Sequence, residues 1–147
     1  MNDALIHRLE HFLAKEENST LRGEPALDDE IRAAEEKLDV KFHGDYQDFI
    51  KRFGGAYAGM AIHAFINGSS IGKETVVELT LAAREGYAGD ERAAELGKSY
   101  VISMTAAGDP VIINSAGEVV VLYHDSDERE VLAASFEKLL QDVFVEW

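Results

Sequence analysis

The sequence predicts an α+β fold: a single domain with a largely antiparallel central sheet and helices at both chain ends packing on it. Three observations predict this. Apolar residues recur at helical spacing near the start, in Leu5, Ile6, Leu9, Phe12 and Leu13, and near the end, in Phe136, Leu139, Leu140, Val143 and Phe144. Short runs rich in valine and isoleucine fill the stretch after Tyr100. Helices gathered at the ends, with strands between them, match segregated layers and antiparallel pairing. The 147 residues suffice for one core, which at this size buries roughly 68–70% of the unfolded surface. No internal repeat, linker or second domain is visible.

In chain order, the first helix is followed by a polar loop, Asn18–Glu24, that closes at Pro25. The stretch Leu27–Gly55 organises the rest. Leu27, Ile31, Ala34 and Leu38 recur at steps of four, three and four, one face of a second helix. Asp28 or Asp29 is placed to cap it, because a short carboxylate accepts from the free N–H groups of a first turn. Val40 and Phe42 alternate with Lys41, so this link is extended and aims two side chains at the core. Gly44-Asp45 opens a third helix with Tyr46, Phe49, Ile50 and Phe53 on its apolar side. Its aromatic rings, each able to bury on the order of 150–250 Å², mark the centre of the core. Gly54-Gly55 supplies the positive φ that stops it.

Beyond the glycines, Ala61–Ile66 reads as a buried strand containing His63, and Thr75–Glu85 as a strand leading into a helix. A short helix over Asp90–Leu96 ends at Gly97. Tyr100–Met104, Val111–Asn114 and Glu118–Tyr123 are strands, with a hairpin turn at Asn114–Gly117 between the last two. His124–Glu128 is a polar loop, and the final helix follows Ser135.

Charge is the informative part of the composition. Against 28 acidic residues stand 14 basic ones, a net charge of −14. Such a surface repels phosphate backbones and anionic membranes and attracts basic partners over about a Debye length. Neither nucleic acid nor membrane is therefore expected as a partner. No apolar run approaches the ~18 residues of a membrane-spanning helix, and the start MNDALIHRLEH lacks a signal-peptide pattern, so the expected location is cytoplasmic. Without cysteine there is no disulfide, thiol nucleophile or thiolate metal site.

Several patterns match chemical motifs in part. His7 and His11 have the spacing of a two-histidine metal face but lack a third ligand, and read as solvent-facing. Gly68-Ser69-Ser70-Ile71-Gly72 fits the G-x-S-x-G nucleophile elbow, with Asp109 and His124 following in the appropriate order. That elbow needs a parallel sheet of repeated βαβ units, and Asn67-Gly68-Ser69-Ser70 is ordinary turn vocabulary. The Gly54–Gly59 cluster lacks the lysine and hydroxyl residue of a phosphate loop. Asp125-x-Asp127 begins like a calcium loop, but Arg129 stands at the next ligand position. No catalytic set, metal or cofactor is expected.

The organising stretch resembles the signature of the SUKH superfamily, the group of the Smi/Knr cell-wall regulator of yeast and many bacterial immunity proteins. The matching residues are Glu30-Ile31, Glu35, Leu38, Asp45-Tyr46, Phe49-Ile50 and Gly54-Gly55. A second block is similar to the family's end: Gly108-Asp109, Ile112–Asn114, Gly117, Leu132-Ala133, Ser135-Phe136 and Leu139-Leu140. The resemblance runs from about Leu27 to Leu140. His43 stands where a proline is usual, and Phe53 where an asparagine is, so any role of that asparagine does not carry over.

The resemblance implies a non-enzymatic, protein-binding domain, and in bacteria an immunity protein that blocks a cognate polymorphic toxin, often a nuclease, by direct binding. Nuclease toxins carry basic surfaces, onto which an acidic inhibitor is steered. A cytoplasmic regulator or scaffold of the Smi/Knr type is the alternative, and a small serine hydrolase a third reading. Two acidic clusters are the candidate contacts: Asp125, Asp127 and Glu128 in the late loop, and Asp28, Asp29 and Glu30 at the start of the second helix. The loop is preferred, because a connecting segment varies without disturbing the core.

Overall fold

The computed structural model describes residues 1–147. Its helices are α1 (Asp3–Leu13), a 3-10 helix (Glu16–Leu21), α2 (Asp28–Leu38), α3 (Gly44–Phe53), α4 (Val76–Gly86), α5 (Ala93–Leu96) and α6 (Phe136–Val143). A two-stranded sheet pairs β1 (Ala56–Tyr57) with β2 (Ala61–Ile62). The main sheet holds β3 (Tyr100–Met104), β4 (Pro110–Ile113), β5 (Val119–Leu122) and β6 (Arg129–Ala133) in chain order. Every pairing between these strands is antiparallel. The α+β expectation is therefore met.

The valine and isoleucine runs lack polar alternation because both faces of the main sheet are buried. Tyr100, Ile102, Val111, Ile113, Val119 and Val121 face the large core shared with α1, α2, α3 and α6. Val101, Ile112, Val120 and Leu122 face a smaller cluster around Leu96, flanked by Leu79, Ala83 and Tyr87 of the α4–α5 side. The large core is organised by α3. Phe49 is fully buried, with ring centroids 5.3 Å from Phe53 and 5.5 Å from Phe136. Tyr46 reaches Tyr100 and Phe136, at 5.3 and 5.6 Å, so one helix ties the sheet to the last helix. The Tyr46 hydroxyl donates to the His63 carbonyl at 2.7 Å, and burial holds its pKa well above the usual tyrosine value. Gly54 ends the helix at φ 64°, and a Cβ there would sit 2.2 Å from the Glu24 carbonyl oxygen. That position needs glycine for both reasons.

Several elements differ from expectation. The Asn18–Glu24 loop begins inside the 3-10 helix, and buried Asn18 donates to the Phe12 carbonyl at 2.8 Å. The strand at Ala61–Ile66 is only Ala61–Ile62; His63 continues past it, its N–H donating to Ile102 at 2.8 Å. No strand precedes α4. Thr75 and Glu78 form a reciprocal capping box, with bonds of 3.1 and 3.0 Å, that starts the helix at once. Within Asp90–Leu96 only Ala93–Leu96 is helical. Neither Asp28 nor Asp29 caps α2; Leu27 occupies the cap position, and the Glu30 carboxylate accepts from its N–H at 2.9 Å. Finally, β6 is a strand in a stretch, between the polar loop and Ser135, for which the sequence predicts no element. Its Arg129, Glu130, Val131 and Leu132 are exposed, so the buried alternation that marks a strand is absent.

Candidate functional site

The loop between β5 and β6 is a turn whose backbone is pinned from below. Beneath it lies Arg92, 7% exposed, on the turn leading into α5. Its Nη1 donates to the carbonyls of Tyr123 and Glu128, at 2.9 and 2.5 Å, and its Nη2 to Ser126 at 2.9 Å. Asp90 holds the other side of the guanidinium, accepting from Nε at 2.9 Å and Nη2 at 3.0 Å. The Tyr87 ring lies against it, 5.0 Å from its central carbon, and the Tyr87 hydroxyl donates to the Leu122 carbonyl. A buried guanidinium requires this many acceptors, since unpaired donors away from water are costly. Hydrogen bonds from Arg92 lower the Asp90 carboxyl from its ordinary 3.8 to about 2.

The loop's other anchor is Asp109, immediately before β4 and 5% exposed. Its Oδ1 accepts from the His124 N–H at 2.9 Å and lies 2.5 Å from His124 Nδ1. Thr105 Oγ donates to its Oδ2 at 3.0 Å. The backbone bond from His124 is the main reason that the Asp109 carboxyl is lowered.

On this frame Asp125, Asp127 and Glu128 are all exposed. The ion pairs around them join Asp90 to Arg92 and Glu95 to Arg129, Asp109 is bonded to His124, and none of these contacts includes the three carboxylates. At Glu95 burial acts upward, but hydrogen bonds from Arg129 and Asn114 outweigh it and lower the carboxyl. The loop thus combines a positioned backbone with uncompensated negative charge.

The second acidic cluster is engaged within the chain. Asp28 pairs with Lys51 of α3 at 2.9 Å, and that hydrogen bond lowers its carboxyl. Asp29 pairs with Arg32, and Glu30 caps α2. No hydrogen bond or ion pair joins this cluster to the loop. Sequence reasoning missed Arg92 and Asp90. Their Asp-x-Arg spacing is visible, but nothing local says that the guanidinium reaches carbonyls more than thirty positions later.

The residues of the G-x-S-x-G match are not gathered. Ser70 Oγ donates to Thr20 Oγ at 2.9 Å, while His124 pairs with Asp109. The antiparallel sheet also lacks the strand–turn–helix setting of a nucleophile elbow. No group of three or more His, Asp or Glu residues is placed to hold a metal ion. The largest cavity is lined by Arg32, Glu35, Glu36, Asp39, Val40 and Lys41; with one apolar residue it is a hydrated cleft, unlike the apolar pockets that enclose small molecules. No helix is long and apolar enough to cross a membrane.

Arg92→Met is expected to lower stability by about 1.5–3 kcal/mol, the range for losing a hydrogen bond to a charged group. Because Asp90 has a lowered folded pKa, its stabilisation is present above 3.8 and is lost as pH falls toward 2. That component of the acid dependence should vanish in the variant. Urea denaturation at neutral and acid pH checks both, and a variant matching wild type at each would remove Arg92 as the loop's support.

No curated protein matches the chain. A family model described as SUKH_5, SMI1-KNR4 cell-wall, matches residues 3–145. That span holds both the α3-centred core and the pinned loop, and the chain belongs to the SUKH_5, SMI1-KNR4 cell-wall family.

Proposed function

We propose that this protein is an immunity-type binding domain that neutralises a basic toxin domain by stoichiometric contact in the cytoplasm. Family membership supports a protein-binding, immunity-type domain at the level of the family. The observation that carries the finer reading is the loop 124–128, whose backbone is fixed by Arg92 and Asp109 while Asp125, Asp127 and Glu128 carry unpaired charge. A positioned loop loses little entropy on binding, and its charge adds to the field of a −14 chain, which speeds encounter with a basic surface. Blocking follows from occupancy, and no bond is made or broken. The carboxylates of Asp28, Asp29 and Glu30 are a secondary candidate contact, since each must surrender an internal partner first.

The test is to sequence the gene immediately upstream, where the reading expects a toxin domain, and to co-express that domain with this protein. The expected outcome is relief of toxicity together with a one-to-one complex by sedimentation. Toxicity undiminished at excess of this protein would overturn the reading. A complex that forms without relief would favour the regulatory or scaffold role.

A further inference from the structure

The two edges of the main sheet are treated differently by the fold. At β3 the outer edge is closed. Ile102 accepts from the His63 N–H at 2.8 Å, and the Val101 N–H donates to Thr80 Oγ at 2.8 Å. At β6 the edge is open. Beyond the ladder with β5, no hydrogen bond reaches the backbone of residues 129–134. From His124 to Leu132 every residue is exposed, including Val131 at 44% and Leu132 at 37%.

We propose that the free edge of β6 is a docking strand, to which a protein partner adds a basic, extended segment as a further strand of the sheet. The proposal rests on the protein-binding reading above and names how the contact is made. The ladder's phase defines which groups are available. The Tyr123 N–H donates to the Glu128 carbonyl, and antiparallel residues alternate between bonded and unbonded pairs. Glu130, opposite Val121, therefore turns its backbone groups toward β5, and Arg129 and Val131 turn theirs outward. Leu132 is the extra residue of a bulge beside Val119 and Val120. A bulge twists an edge away from further pairing, so the usable edge is Arg129–Val131, at the end of β6 that adjoins the acidic loop.

Charge complementarity selects the occupant. Asp125, Asp127, Glu128 and Glu130 surround this end of the strand, while its one cation, Arg129, is bound to Glu95 at 2.7 and 2.8 Å. A segment alternating Lys or Arg with apolar residues meets these carboxylates with one face and Val131 with the other. A second copy of the chain is a poor occupant, since each copy carries −14.

The probe is a blocked eight-residue peptide alternating lysine and valine, with a glutamate–valine peptide as control. Amide exchange is followed on the full chain by NMR. The lysine peptide is expected to slow exchange at Arg129 and Val131 by about tenfold at a concentration about ten times its dissociation constant, with weaker binding at higher salt. The control should do neither. Val131→Pro removes an outward N–H and no ladder bond, a substitution that edge strands tolerate, and should abolish peptide binding. Should that variant fail to fold, wild-type exchange decides the matter. No binding, binding that leaves the Arg129 and Val131 amides unchanged, or protection that grows with protein concentration without peptide would each overturn strand addition. Toxin relief alongside a negative peptide result would remove this docking mode and leave the binding function standing; the converse would remove the toxin and leave the edge.

Discussion

Phe49→Ala is expected to destabilise the protein by about 3–5 kcal/mol, the range for deleting a buried phenylalanine ring. Phe49 is fully buried and edge-packed against Phe53 on its own helix and Phe136 on α6. Removing it costs transfer free energy and leaves a cavity that rigid aromatic neighbours cannot close. The ring also links elements almost ninety residues apart, so its loss loosens α6 as well as α3. With a urea dependence of about 2 kcal/mol per molar, the denaturation midpoint should fall by on the order of 2 M. Phe49→Leu should lose much less, since most of the volume is retained. A midpoint unchanged in the alanine variant would show that α3 does not anchor the core.

Replacing Asp125, Asp127 and Glu128 together by lysine is expected to slow association with a basic partner by about 10- to 100-fold at low salt, within the range of electrostatic steering. Each reversal adds two charges, which takes the net charge from −14 to −8. Because none of the three carboxylates is in an ion pair, stability should change by no more than about 0.5 kcal/mol per site, as for other surface positions. Asp127 is the exception to watch: the hydrogen bond to Asp90 is the main cause that raises the Arg92 pKa, and the Asp127 charge adds a smaller contribution in the same direction. A lysine there reverses that contribution, and Asp127→Asn separates its effect from the charge reversal that slows steering. Stopped-flow kinetics at two salt concentrations, with the toxin domain identified by co-expression, reads the result. Unaltered kinetics in the triple variant would remove the loop from the interface. Salt-insensitive association of the wild type would discard the electrostatic account.

Legibility followed sequence distance. Helices α1, α2, α3 and α6 were visible because apolar spacing within one turn is a local property, and Gly54 announced its own stop. The hairpin from β4 to β5 was visible because Asn114–Gly117 carries its own turn chemistry, with Gly117 at φ 87°. The Thr75–Glu78 capping box is equally local, yet the expectation of a strand ahead of α4 passes over it. β6 had no such signal. It pairs only with β5, and the α4–α5 layer that covers Val120 does not bury Val131 opposite it. An edge strand exposed on most of its length has the composition of a loop.

The same division separates the acidic clusters. The sequence alone determined the fold class, the aromatic centre of the core, the net charge and the family resemblance, because these depend on residue types at fixed local spacing. Only the tertiary structure decided which carboxylates are free. Asp28 and Asp29 are held by Lys51 and Arg32, and Glu30 by the start of its own helix, whereas Asp125, Asp127 and Glu128 stand over a buried Arg92 whose contacts go to their backbone. Whether a charge is spent inside the molecule or presented to a partner depends on what the fold brings within about 4 Å of it. For Arg92 those neighbours lie some thirty residues away along the chain, beyond the reach of any local pattern.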